Sequence, residues 1–174
     1  MVTIKDIAKE AGVSHTTVSR ALRNYPALSN HTIERIKAIA KDMGYVPSAV
    51  ARGLRTNQSL TVGVIIPHIG NAVCSTLLEG INDTLQSLGY ALIVTTYSHD
   101  LAKVKQGVDT LISRQVDGLI FCDSVGLDVS TTLAQLTIPH ELIVQTAVLD
   151  QHAIYSLGQQ TTKQLLERLA QPIA

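Results

Sequence analysis

The sequence is poor in aromatic residues and cysteine, and it has no long hydrophobic run. Only 3% of its 174 residues are aromatic, which leaves little material for a ring platform that stacks on a sugar. Every uninterrupted apolar stretch is far shorter than the ~18 residues of a membrane-spanning helix. Charges also interrupt the apolar positions of the amino terminus, unlike in a secretory signal. We therefore expect a cytoplasmic protein with no membrane partner.

Residue patterns typical of enzymes and metal sites are missing as well. Cys74 and Cys122 have no metal-type spacing to each other or to a histidine, so we interpret them as reduced structural thiols. The sequence contains no Walker loop and no G-x-S-x-G motif, and His99–Asp100 is an isolated pair in a polar turn. These absences predict a protein that is not an enzyme and that needs no cofactor or metal.

The net charge of zero conceals two oppositely charged segments. Residues 1–60 carry nine Lys or Arg against four Asp or Glu, a formal charge of +5. Residues 61–174 carry five Lys or Arg against ten Asp or Glu, a formal charge of −5. A basic module joined to an acidic one indicates that the amino-terminal segment binds nucleic acid.

Apolar residues at helical spacing predict three short helices before residue 45. Gly12 ends the first helix in the left-handed conformation that a carboxy-terminal cap favours, and Ser29 is placed as the N-cap of the third, which Gly44 ends. Two helices joined by a tight turn at Gly12 form a helix-turn-helix, whose third helix closes a small core. The apolar stripes are Ile4, Ile7, Ala8 and Ala11; Val18, Ala21 and Leu22; and Ile33, Ile36, Ala40 and Met43.

Residues 2–60 resemble the DNA-binding region of the lactose-repressor (LacI/GalR) family. The resemblance is carried by "TIKDIAKEAGVSHTTVSRALRN", by "LSNHTIERIKAIAKDMGYVPSAVARGLR" and by the pattern Y-x-P-x-x-x-A-R-x-L within it. It implies an all-α helix-turn-helix domain at 1–46 and a hinge helix and linker at 47–60. It also implies a bacterial transcriptional regulator, acting as a repressor, that binds a palindromic double-stranded DNA operator as a homodimer at the nucleoid.

The same resemblance assigns contact roles to polar residues of this region. His15, Thr16 and Arg20 would face base edges in the major groove, where the fork of an arginine suits guanine O6 and N7. For Ser14 the alternative is that it merely caps the second helix, and both roles can hold together. Residues expected to hold phosphates are Thr3, Ser14, Thr17, Asn24, Ser29 and Thr32.

The segment "PSAVARGLRTNQS" is too short to be a stable helix alone, and Gly53 lowers its helix propensity further. In the family such a segment folds when two copies lie in a widened minor groove. By resemblance, the minor-groove residues would be Ala51, Leu54 and Arg55, with Leu54 wedged into a base step. The alternative is an ordinary interdomain linker.

From residue 61 the pattern changes to alternating strands and helices. "TVGVIIP", "YALIVTT" and "DGLIFCD" predict strands, and helices are expected near 72–88, 101–114 and 129–136. Weaker strands at 141–146 and 153–156 and a helix at 159–170 complete a predicted five-strand α/β unit with a parallel sheet. The resemblance continues here and implies part of a periplasmic-binding-protein-like effector domain at 61–174, limited to the amino-terminal subdomain.

In the family a small-molecule effector, a sugar or related metabolite, lies between two subdomains. Loops after parallel strands are where open α/β sheets bind ligands, which singles out His68, Asn71, Asp123 and Ser124. Plain loop polarity remains the alternative for His68 and Asp123, and the family's N-P-F-[FY] reads "NAVC" here. Because one wall of the cleft is missing, we expect a truncated chain with a defective effector response. The alternative is a non-functional or dominant-negative truncated remnant that acts only through dimerisation. In a working homodimer, we expect the interface to include the helix at 72–88 and its neighbours.

Overall fold

The computed structural model describes residues 2–48, 53, 56–123, 129–144 and 150–170. The chain divides into two compact units, Met1–Ser48, which we call the head, and Ala49–Ala174, which we call the α/β unit. The predicted hinge residues Ala51, Leu54 and Arg55 lie outside the described residues, as does the predicted effector residue Ser124.

The head consists of the three predicted helices, α1 (Ile4–Ala11), α2 (His15–Ala21) and α3 (Asn30–Asp42). Gly12 has φ +64° and ends α1 by donating its N–H to carbonyls of the last turn, as its position in the sequence predicts. Ser29 is the N-cap of α3 and accepts the N–H of Thr32 at 3.3 Å. The buried core takes its side chains from all three helices: Ile7, Ala8, Ala11, Val18, Ala21, Ile33, Ile36 and Ala40.

The α/β unit contains a four-stranded parallel sheet in the order β2-β1-β3-β4 among the residues that the structure describes. Central strands β1 and β3 are rich in Val, Ile and Leu because both of their faces are covered. The elements of the unit are β1 (Thr61–Ile66), α4 (Ala72–Ser87), β2 (Ala91–Thr96), α5 (Leu101–Ser113), β3 (Gly118–Asp123), α6 (Ser130–Ala134), β4 (His140–Val144) and α7 (Gln151–Ala170).

Alternate residues of the strands enter two separate hydrophobic layers, as the period of two along a strand requires. Val64 and Ile120 lie in the layer beneath α4 and α7. Ile65 and Phe121, one residue further along the same strands, lie in the layer beneath α5 and α6. Helices therefore cover both faces of the sheet.

The predicted strand at 153–156 is wrong, because these residues belong to α7. Ile154, Gly158, Thr162 and Leu165 are all buried, and they recur at the spacing of one helix face. Asp150 also favours a helix start, since its carboxylate accepts the N–H of Ala153 at 2.7 Å. The apolar run at 153–155 was too short to separate strand from helix, and the sheet has four described strands rather than five.

Helices α4 and α7 cross with their backbones in van der Waals contact. A Cβ atom built on Gly158 would lie 2.5 Å from the carbonyl oxygen of Leu77, and one on Gly80 would overlap the carbonyl oxygen of Tyr155. Beside this crossing the Tyr155 hydroxyl donates to Asp83 Oδ2 at 2.8 Å, which raises the pKa of Tyr155. Two glycines are required here because no side chain fits between the helices.

Candidate nucleic-acid interface

The second helix of the head presents one polar face and one buried face. Val18 and Ala21 are fully buried in the core of the head. His15, Thr16 and Arg20 are exposed on the opposite arc of the helix, with Thr16 and Arg20 one turn apart. All three predicted base-reading residues are therefore exposed on α2, with Thr16 and Arg20 on one face.

Arg20 lies over an aromatic ring that the sequence reasoning did not single out. Its guanidinium carbon is 5.2 Å from the centroid of the Tyr25 ring, and Tyr25 is 47% exposed. A cation over an aromatic face is attracted by the ring quadrupole. The Tyr25 ring therefore packs beside the Arg20 side chain on the exposed surface of the head.

Other cations of the head are held by hydrogen bonds to neighbouring groups. Arg23 donates from Nε to the Ser19 carbonyl oxygen at 2.9 Å and from Nη2 to Ser19 Oγ at 3.0 Å. Lys37 donates from Nζ to Asn24 Oδ1 at 2.5 Å, although thirteen residues separate the two. Asn24, a predicted phosphate contact, is therefore also the hydrogen-bond partner of Lys37.

The remaining predicted phosphate residues stand at the starts of helices. Ser14 Oγ accepts the N–H of Thr17 at 3.1 Å, so the capping role of Ser14 is confirmed. The hydroxyls of Ser14 and Thr17 are 2.9 Å apart, as are those of Ser29 and Thr32. Phosphate binding by these residues stays a prediction, since each hydroxyl already has a partner within its own helix.

Thr3 begins α1 with a reciprocal capping arrangement. Its N–H and hydroxyl donate to Asp6 Oδ2 at 2.8 and 2.7 Å, and its Oγ1 lies 3.4 Å from the Asp6 N–H. These hydrogen bonds from Thr3 lower the pKa of Asp6. A carboxylate beside Thr3 weakens the case for a phosphate at this position, because like charges repel.

In the α/β unit, the predicted effector residues lie at the carboxyl ends of two neighbouring strands. His68 follows β1, and its Nδ1 accepts the N–H of Gly70 at 3.0 Å. Asn71 is the N-cap of α4, where its Oδ1 accepts the N–H of Val73 at 2.9 Å. Asp123 ends β3 and is buried. His68 and Asn71 therefore both support the first loop, whatever else they bind.

Aromatic rings at this edge of the sheet are part of the core. Tyr97 and Phe121 stack with ring centroids 5.4 Å apart and an angle of 20° between their planes. Both side chains are fully buried, and the Tyr97 hydroxyl donates to the Cys122 carbonyl oxygen at 3.3 Å. Neither ring offers a face on which a sugar could stack.

The two cysteines are free and buried between the sheet and α4. Burial raises the pKa of both thiols, so neither is poised to form a thiolate. Within the described ranges, we find no group of His, Cys, Asp and Glu suited to hold a metal ion. No helix there is long and apolar enough to cross a membrane.

The helix-turn-helix of the head matches a known family. The family described as "Bacterial regulatory proteins, lacI family" matches residues 3–48, which include all three helices and every candidate contact residue on α2. The head is therefore similar to the DNA-binding domain of the lacI family over nearly its whole length.

Curated relatives extend the similarity of this chain beyond the head. Catabolite control protein A of Streptococcus mutans is 39% identical over 120 residues, which are 69% of this chain and 36% of that protein. The protein of the same name from Staphylococcus xylosus is 41% identical over the same shares. The chain thus spans about a third of the length of the curated relatives it matches.

Solved structures agree with the fold of both units of this chain. The lac repressor dimer bound to operator and the anti-inducer ONPF has a TM-score of 0.73 at 28% identity, covering 83% of this chain and 45% of that one. A lacI-family regulator from Silicibacter pomeroyi has a TM-score of 0.69 at 31% identity, covering 84% and 44%. These similar proteins are transcriptional regulators rather than enzymes.

Proposed function

We propose that this chain is a sequence-specific DNA-binding transcriptional regulator that binds a palindromic operator as a homodimer. The polar face of α2 carries the proposal. His15, Thr16 and Arg20 are exposed there together, while Val18 and Ala21 anchor the same helix in the core. A helix held in this way enters a major groove with its polar face towards the base edges.

Base reading falls to Arg20 in this proposal. A guanidinium donates two parallel hydrogen bonds to O6 and N7 of guanine, and such a pair discriminates between bases by about 1–3 kcal/mol. Tyr25 supports this role because it limits the positions that the Arg20 side chain can take. His15 and Thr16 contact the neighbouring bases, and a regulator of this kind acts at the nucleoid in the cytoplasm.

The proposal is tested with the operator that the parent chain selects from a pool of random duplex DNA. We expect Arg20→Ala to weaken binding to that operator by about 1–3 kcal/mol and to relax the preference at one base pair in each half-site. The matched control is Lys41→Ala, which removes the same charge from an exposed position in the last turn of α3. Fluorescence anisotropy measures both affinities.

Lys37, a surface lysine of the same helix, is a poorer control because it bonds to Asn24. Equal losses in Arg20→Ala and Lys41→Ala would remove Arg20 from the base-reading role. If the parent chain selected no sequence from the random pool, the proposed sequence-specific DNA binding would be wrong. Light scattering on the same samples reports whether the chain is the proposed dimer.

We also propose that the carboxyl edge of the sheet forms one wall of a small-molecule effector site. His68 and Asp123 support this, since His68 follows β1 and Asp123 ends the adjacent strand β3. Asn71 contributes chiefly by capping α4. Titration calorimetry against a panel of sugars and related metabolites tests this part of the proposal.

A further inference from the structure

A single carboxylate holds the residues that lead into β1. Asp117 Oδ1 accepts the N–H of Ser59 at 2.7 Å and the Ser59 hydroxyl at 3.1 Å. Asp117 Oδ2 accepts the N–H of Leu60 at 2.7 Å, and the Asp117 N–H donates to the Thr61 carbonyl oxygen at 2.8 Å. We call these four hydrogen bonds the Asp117 clamp. They join residues more than fifty positions apart in the sequence.

The backbone held by the clamp has an uncommon conformation. Leu60 has φ +51° and Asn57 has φ +54°, in the left-handed region that residues other than glycine rarely adopt. Two successive N–H groups pointing at one carboxylate stabilise such a turn, because hydrogen bonds to a charged acceptor are stronger than neutral ones. The Leu60 carbonyl oxygen also accepts the N–H of Ala91 at the start of β2. The chain therefore enters the sheet in a fixed direction.

The negative charge of Asp117 also affects the neighbouring Tyr90. Burial, together with the negative charge of Asp117, raises the pKa of Tyr90, which precedes β2. The clamp thus lies at the amino-terminal edge of the sheet, beside the first residues of β1, β2 and β3. This is the opposite edge from His68 and Asp123.

We propose that Asp117 is a positioning residue for DNA binding: it fixes Ser59 and Leu60, the residues through which the head is tethered to β1. The proposal rests on the DNA-binding function proposed above. A tether that begins at a fixed point and in a fixed direction restricts the volume searched by the module it carries. Restriction of that kind raises the effective concentration of the second module of a dimer at its half-site.

The test compares Asp117→Asn with Asp109→Asn in the full chain. The first variant replaces an accepting oxygen of the clamp by an NH₂ group that cannot accept the N–H donors. The second removes the same charge from an exposed position on α5. Amide hydrogen exchange is measured at Ser59 and Leu60 and, as an internal reference, at Leu119 and Ile120 within β3.

We expect Asp117→Asn to speed exchange of the Ser59 and Leu60 amides by about tenfold or more, with no change at Leu119 and Ile120. Affinity for the selected operator should fall by about tenfold, while affinity for a scrambled duplex of the same length stays that of the parent. Asp109→Asn should match the parent in every measurement.

Three other results would overturn the proposal. Faster exchange at Ser59 and Leu60 with unchanged operator affinity would show that the clamp exists but does not position the tether. Faster exchange throughout β3 would make Asp117 a residue needed for folding alone. Unchanged exchange would show that there is no clamp. If the parent chain selects no operator, the DNA-binding function fails, and the exchange measurement still decides whether the clamp forms.

Discussion

The two units differ in whether the side chains of their candidate binding residues are already used in local hydrogen bonds. In the head, His15 and Thr16 project from a helix whose other face is buried, and Arg20 is held beside them by Tyr25. In the α/β unit, His68 and Asn71 accept hydrogen bonds from the backbone of their own loop. A polar side chain on the outer face of an anchored helix is free for a ligand, whereas one in a loop often stabilises the loop itself.

The largest effect that we expect is that of Gly80→Ala, which should lower the stability of the α/β unit but not that of the head. An alanine at Gly80 would gain about 1 kcal/mol of helix propensity. Its Cβ would overlap the carbonyl oxygen of Tyr155, however, and overpacking typically costs about 1–3 kcal/mol. Because a backbone atom cannot move aside easily, we expect the cost to lie at the upper end of this range, so that Gly80→Ala destabilises the α/β unit by a net ~1–2 kcal/mol and leaves the head unchanged.

Hydrogen exchange followed unit by unit measures this difference. Gln86→Ala, at an exposed position of the same helix, is the control and should be neutral. If Gly80→Ala stabilised the α/β unit, helix propensity would outweigh the contact, and α4 and α7 would not meet as described. If Gly80→Ala lowered the stability of both units equally, the units would unfold together and would not be independent in stability.

A smaller effect is expected at Ser14 in the head, where substitutions distinguish its role as a helix cap from its predicted phosphate contact. Aspartate is about as good an N-cap as serine, and its charge favours the start of a helix by about 0.3–1 kcal/mol. Ser14→Asp should therefore keep or slightly raise the stability of the head while weakening DNA binding, because the carboxylate repels a phosphate. Ser14→Ala should instead lower the stability of the head by about 1 kcal/mol, through loss of the cap.

Thermal unfolding of the head and anisotropy with operator DNA separate the two roles of Ser14. Undiminished DNA affinity in Ser14→Asp would mean that Ser14 acts as a cap alone. The helix start at Ser14 would then resemble the loop at Asn71, where the polar side chain serves its own helix.

The smallest expected effect concerns Tyr25. Loss of an exposed cation–π contact is worth about 0.5–1 kcal/mol, so Tyr25→Ala should weaken operator binding by about two- to fivefold. Tyr25→Phe keeps the ring and should bind like the parent. In an Arg20→Ala background, Tyr25→Ala should have no further effect, since the two residues act as a pair. If the losses of operator affinity in Arg20→Ala and Tyr25→Ala instead added up in the double variant, Tyr25 would contact the DNA independently of Arg20.

Local patterns explain why the head could be predicted from the sequence. The positions of Gly12, Ser14 and Ser29 relative to the apolar stripes determine where helices begin and end, and each of these predictions is confirmed. A helix also places residues such as Thr16 and Arg20 on one face by its period alone. The three main strands and the helices between them followed from equally local patterns.

Features that depend on distant residues were not predictable. The bond between Lys37 and Asn24 and the Asp117 clamp depend on the folded arrangement of separate elements. The strand predicted at 153–156 failed for a related reason: Ile154 and Gly158 pack against α4, and that contact decides between helix and strand for a short apolar run. Polar loop residues such as His68 likewise gave no sign that their bonds would be made within the loop.

The separate cores have a consequence for how such proteins recombine during evolution. Among the residues that the structure describes, the hydrophobic core of the head draws on positions 2–45, and the layers of the α/β unit draw on positions 62–169. A genetic crossover between Ser48 and Ser59 would leave both cores whole and would keep the Asp117 clamp with its own sheet. A new head could then be acquired in one event, with the hydrophobic layers of the α/β unit kept.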